Sequence, residues 1–187
     1  MIIRIALFLF AFMASPVRAD MIGYSGVVDL SAEAGTLRAE HHHDWRRASQ
    51  KARESMFSWR VPFSTENDYS YLRLRDSVTG VELFRRPVPA LTYIWISPDL
   101  KYVVGLSYVM ISNPYQLVVF SRSGDRLLER DMIGVNWPGV MQSVTNWIRW
   151  YKEPVPKIAI VEKGTTATLS VEDPLGVLRQ FPFPAAR

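Results

Sequence analysis

The chain has 187 residues, a formal net charge of +4 and no cysteine. Without cysteine there is no disulfide framework and no thiolate chemistry, and so small a charge excludes a nucleic-acid footprint as the organising feature. Six Trp, eight Tyr and nine Phe supply the apolar mass from which a core has to be built.

Residues 1–19, MIIRIALFLFAFMASPVRA, combine an early Arg4, an apolar run from Ile5 to Ala14 and small residues at Val17 and Ala19. That layout predicts a cleavable signal peptide, the run being too short to span a bilayer. The expected mature protein is a single periplasmic domain, residues 20–187, without a membrane segment. Loss of Arg4 and Arg18 brings its charge to +2.

Beyond the signal, short alternating runs rich in Val, Ile, Tyr, Trp and Leu predict strands, the first two over 24–30 and 36–41. HHHDW, residues 41–45, follows at what is expected to be the end of an outer strand. The alternation breaks over 44–55, DWRRASQKARES, where Trp45, Ala48, Ala52 and Met56 share a face and Asp44 suits an N-cap. One short helix is predicted there. From Tyr93 to Asp131 four strands with short connections make an antiparallel meander, and NWPGVMQ (136–142) is an irregular link to VTNWIRWY.

Four segments share one plan of strand, polar turn with glycine, and strand: VVDLSAEAGTLRAEH, LRLRDSVTGVELFRR, LVVFSRSGDRLLER and TLSVEDPLGVLRQF. Gly35, Gly80, Gly124 and Gly176 mark the turns at spacings of 45, 44 and 52 residues, a period near that of propeller blades. Within the third unit, WISPDLKYVVGLS resembles the SPDG-K-Y/F segment of TolB-like and WD40-like β-propellers, with Leu100 at the glycine position. The expected fold is all-β: an incomplete propeller-like stack of antiparallel β-meanders, with a β-sandwich as the alternative. The blade-like units run over about 24–41, 56–87, 92–131 and 144–183.

No nucleophile motif of the G-x-S-x-G or S-x-x-K type occurs, and no carboxylate pair stands out. No catalytic residue and no cofactor is assigned. His41 and His43 fall on one face of a strand and are the only weak metal candidates, since a closed site needs about four ligands. Otherwise the imidazoles are expected to make an exposed edge pH-sensitive. Arg46, Arg47, Lys51 and Arg53 suit a solvated helix face or a docking patch for an acidic protein. Trp147 and Trp150 lie on opposite strand faces, which makes one a core residue and leaves one for display.

The loop VMISNP, residues 109–114, carries apolar residues where turns are normally polar. Met110, Ile111, Ser112, Asn113 and Tyr115 are therefore the expected partner-binding residues. The order of LRLRDS, WISPDLKYVVGLS, this Ser112-bearing loop and LVVFSRSGDRLLERDMIG resembles periplasmic immunity proteins that neutralise type VI secreted cell-wall amidases. The resemblance implies a non-enzymatic inhibitor whose loop, with Ser112 and Asn113, enters the toxin's cleft. The protein partner would then be a secreted hydrolase toxin. An envelope scaffold or assembly factor, and an unrecognised hydrolase or metal-binding protein, remain the alternatives.

Overall fold

In the computed structural model, the described residues are 24–48, 69–111, 113–144 and 146–186. They form thirteen strands and one short helix, α1 (45–48), in four antiparallel sheets, none closed into a barrel. β1 (Val27–Ala34), β2 (Leu37–Asp44), β3 (Ser70–Asp76) and β4 (Glu82–Pro87) make the first sheet, each strand paired with the next. β5 (Tyr93–Ile96), β6 (Tyr102–Leu106), β7 (Leu117–Ser121) and β8 (Arg126–Arg130) make the central sheet in the same way. β9 (Met141–Gln142) and β10 (Ile148–Arg149) form a short hairpin. β11 (Ile158–Lys163), β12 (Thr166–Glu172) and β13 (Leu178–Pro184) complete the third sheet.

The core explains the stacking order. Every residue of β6 and β7 is buried, because both faces of the central sheet are covered. Val103, Val118 and Phe120 meet Leu72, Leu74 and Phe84 of the first sheet. The alternate residues Tyr102, Val104, Leu106 and Val119 meet Leu169, Val171, Phe181 and Phe183 of the third, together with Trp150. The two-residue period of a strand thus serves two cores at once, which is why VVGL and LVVF read as continuous apolar runs. Gly105 permits this packing: a Cβ there would lie 2.7 Å from Leu91 Cδ1 and 2.9 Å from Val118 Cγ1.

Strands from two of the sequence units, about 24–41 and 56–87, combine in the first sheet, since β2 pairs with β3 from His43↔Ser70 to Leu37↔Asp76. The four repeat glycines all take positive φ. Leu100, at the glycine position of the SPDLK turn, takes φ +61° as well. A leucine in that conformation costs on the order of 1–2 kcal/mol. The side chain gains cover in return, with Cδ1 3.1 Å from the point where Gly35 would carry a Cβ.

α1 begins where expected. Asp44 Oδ1 accepts from the amides of Arg46 (2.9 Å) and Arg47 (3.5 Å), the geometry of an N-cap. Trp45 and Ala48 are buried with Tyr69, Ala90 and Val109, while the rest of the predicted helix, with Ala52 and Met56, lies outside the described residues. β13 ends the stack at an edge. The Ala185 amide donates to Thr165 O at 2.9 Å, and the strand period then turns the nitrogen positions of Pro184 and Pro182 outward, where no amide hydrogen exists.

Candidate functional site

The tight hairpins 35–36, 77–81, 97–101, 122–125 and 164–165 gather at one end of the stack. A cleft of about 530 Å³ opens there, lined by Leu83, Leu100, Lys101, Arg122 and Ser123 among others. Several of its polar groups are engaged: Lys101 Nζ pairs with Glu162 at 2.9 Å, and Ser121 and Ser123 both donate to Asp125.

The opposite end carries the long β6–β7 connection, residues 107–116. Asn113 is fully buried, and its Nδ2 donates to Ser107 Oγ (3.0 Å) and Val109 O (2.9 Å), with Ala90 O at 3.3 Å. Gln116, equally buried, donates to Asn113 O and Val109 O and accepts from the Met132 amide. Ser107 Oγ accepts from the Val109 amide, and Ser107 O accepts from the Trp150 indole at 2.8 Å. Three polar side chains therefore satisfy the backbone that a buried loop would otherwise leave unpaired.

Of the five expected contact residues, Met110, Asn113 and Tyr115 are buried, Ile111 is 42% exposed, and Ser112 lies outside the described residues. Asn113 acts as the internal brace of the loop, and Met110 and Tyr115 are its apolar footings. Among the described residues of the set, Ile111 is the side chain presented to solvent.

A second element completes this surface. The β9–β10 hairpin is tied to the loop by the Val109↔Trp147 bridge and by the Met110 amide donating to Asn146 O at 2.8 Å. Ser143 Oγ accepts from the amides of Asn146 and Trp147, which fixes the hairpin turn. Val144 at its tip is 94% exposed. Trp150 is core, whereas Trp147 is half-buried with the Arg149 guanidinium 5.0 Å from its ring centroid. Among the described residues eleven large apolar side chains are exposed. All but Val78 and Val81 in the β3–β4 turn and Val161 on β11 lie at this loop end. The hairpin's share was legible only as an unusual valine between Ser143 and Thr145, a weak local signal.

The histidines occupy a different place from the one expected. β2 runs between β1 and β3, so the HHH run lies on an inner strand; His41 and His43 are 1% and 4% exposed. The Leu91 amide donates to His41 Nε2 at 3.0 Å, so Nδ1 carries the proton and donates to Tyr71 O at 3.0 Å. Neither ring nitrogen keeps a lone pair for a metal. Burial holds the His41 imidazolium down to about 3, reinforced by His43, and burial holds His43 down to about 4. The pair is core, so these two residues form no exposed, pH-sensitive edge. Among the described residues no three His, Asp or Glu side chains are placed to hold a metal.

His43 Nδ1 lies 2.7 Å from Ser70 Oγ, a pairing that in an open cleft would suggest a nucleophile. Ser70 is fully buried and donates instead to Val88 O at 2.5 Å. Arg46 and Arg47 of the basic cluster are exposed on α1; Lys51 and Arg53 lie outside the described residues. No helix among the described residues is long and apolar enough to cross a membrane.

Comparison with protein-family models, with curated proteins and with solved structures finds no match.

Proposed function

We propose that this protein works by binding another protein through its loop end, without chemistry of its own. The observation that carries the proposal is the exposure of Ile111 on a connection whose Asn113, Gln116 and Ser107 are spent on bracing it. A loop held in one conformation before contact loses little entropy on binding, and an apolar residue at its tip is then available to fill a recess. Val144 on the neighbouring hairpin adds a second anchor of the same kind.

In an exported protein this arrangement fits inhibition by occlusion: the 107–116 loop enters the active-site cleft of a secreted cell-wall hydrolase and excludes its substrate. The experiment uses residues 20–187 and a panel of exported cell-wall hydrolases, measuring binding by calorimetry and cell-wall hydrolysis in parallel. Wild type is expected to bind and inhibit, and I111D with V144D to weaken both by at least about tenfold. Undiminished binding by that double variant sinks the loop-end reading. Binding that depends on Ile111 and Val144 without inhibition favours the scaffold role over the inhibitor.

A further inference from the structure

The outer face of the first sheet carries a depression of about 240 Å³ that the loop end does not use. Asp29, Ser31, Arg38, His42, Tyr71 and Arg73 line it, from β1, β2 and β3. This is the face onto which His42 turns while His41 and His43 enter the core. Its polar groups are held in place by one another. Asp29 Oδ1 lies 2.8 Å from His42 Nδ1; with the proton on Nδ1 toward the carboxylate, Nε2 is the ring atom left to accept. Glu40, with a side chain only 16% exposed, receives Arg73 at 2.7 Å and Arg75 at 3.1 Å. Arg38 stands between Glu33 and Glu40, 3.1 Å from each. Tyr71 is held by the His42 ring at 5.2 Å and the Arg85 guanidinium at 4.5 Å.

The charges decide the ligand class. Arg38, Arg73, Arg75 and Arg85 balance Asp29, Glu33, Glu40 and Glu82 on this face, and each of these arginines has a carboxylate partner. An anion would meet Asp29 and a cation would meet Arg73, so neither gains a net field. What the depression does offer is fixed donors alternating with fixed acceptors: guanidinium N–H and the Ser31 hydroxyl beside His42 Nε2 and the second oxygen of Asp29. Hydroxyl groups, each donor and acceptor together, suit such a lining, and charged partners make the bonds stronger than neutral ones.

We infer that this depression binds a neutral polyhydroxylated ligand, of the class of a single sugar unit. Ser31 and Arg73 contact it from either side, and His42 accepts from one of its hydroxyls. The site is separate from the loop end and stands or falls independently of the proposed protein partner.

The test is an amide-resolved NMR titration of the 15N-labelled chain 20–187 with three probes: N-acetylglucosamine, the cation glucosamine and the anion glucuronate. Saturable shifts with N-acetylglucosamine, confined to the amides around Ser31, His42, Tyr71 and Arg73, are expected. Two variants locate the site. Ser31→Phe fills the depression without removing an ion pair, and Arg73→Gln removes a charged donor; each is expected to weaken binding about tenfold or more. Ile111→Asp, at the other site, leaves it unchanged. Absence of localised shifts at tens of millimolar overturns the inference, as does tighter binding of either charged sugar. Binding that survives in a folded Ser31→Phe protein overturns the location.

Discussion

His41 accepts a hydrogen bond from the Leu91 amide across 3.0 Å, within the core that joins the first and central sheets. A protonated ring cannot accept, so the contact requires the neutral imidazole. The folded values near 3 for His41 and near 4 for His43 lie below the ordinary value of 6.5. Between those limits the unfolded chain binds more protons than the folded one. Stability is therefore complete above about pH 6.5 and falls as the pH drops toward 4 and below. Urea unfolding at pH 7.5, 6 and 4.5 is expected to show the decline, and His41→Gln, which keeps a donor and an acceptor, to flatten it. An equally steep decline in that variant would assign the effect to other groups.

Gly105 is expected to be intolerant of even a methyl group. Its backbone conformation is ordinary for any residue, so the cost of Gly105→Ala is purely steric, against Leu91 and Val118. Overpacking of this kind typically costs about 1–3 kcal/mol. Thermal unfolding measures it, and an unchanged midpoint would mean that the central sheet is looser than its packing indicates.

At Leu100 the usual order of substitutions is expected to invert. Leu100→Ala removes the cover over Gly35 and keeps a Cβ at φ +61°, whereas Leu100→Gly removes both cover and strain. The glycine variant is expected to be the more stable of the two by about 1 kcal/mol. Denaturant midpoints of the pair decide it, and alanine above glycine would show that the turn relaxes out of the left-handed region.

Asn113→Ala tests the brace apart from the surface. The residue is fully buried, so it touches no partner, yet the two hydrogens of its Nδ2 serve Ser107 Oγ and Val109 O, with Ala90 O at 3.3 Å sharing one of them. Amide exchange over 107–116 is expected to rise, with a stability loss of about 1–3 kcal/mol. Affinity for the loop-end partner should fall while Ile111 is still present. Unaltered exchange would show that Gln116 alone supports the connection.

The local features of this fold were written locally. Turn glycines, the Asp44 cap and the alternation that sends His42 away from His41 and His43 each depend on residues within a few positions. The burial of the histidines was not legible in that way. Alternation says which side chains share a face but leaves open which face is covered, and β2 became an inner strand through pairing with β3, some thirty residues on. Three imidazoles in a row look polar, yet His41, with both nitrogens bonded, is as much a core residue as its apolar neighbours. The loop residues mixed two roles for a related reason: Asn113 and Ile111 are near neighbours in the chain, and only the contacts with Ala90 and Ser107 turn one inward.

The outward nitrogens of Pro182 and Pro184 have a bearing on selectivity. A sheet edge with free amides accepts any extended peptide, since the backbone is the same in every chain. With two successive outward donors missing at Pro182 and Pro184, the end of β13 is a poorer template for such indiscriminate pairing. Contacts along that stretch of the edge then depend more on the shape and polarity of side chains, which differ from one protein to the next.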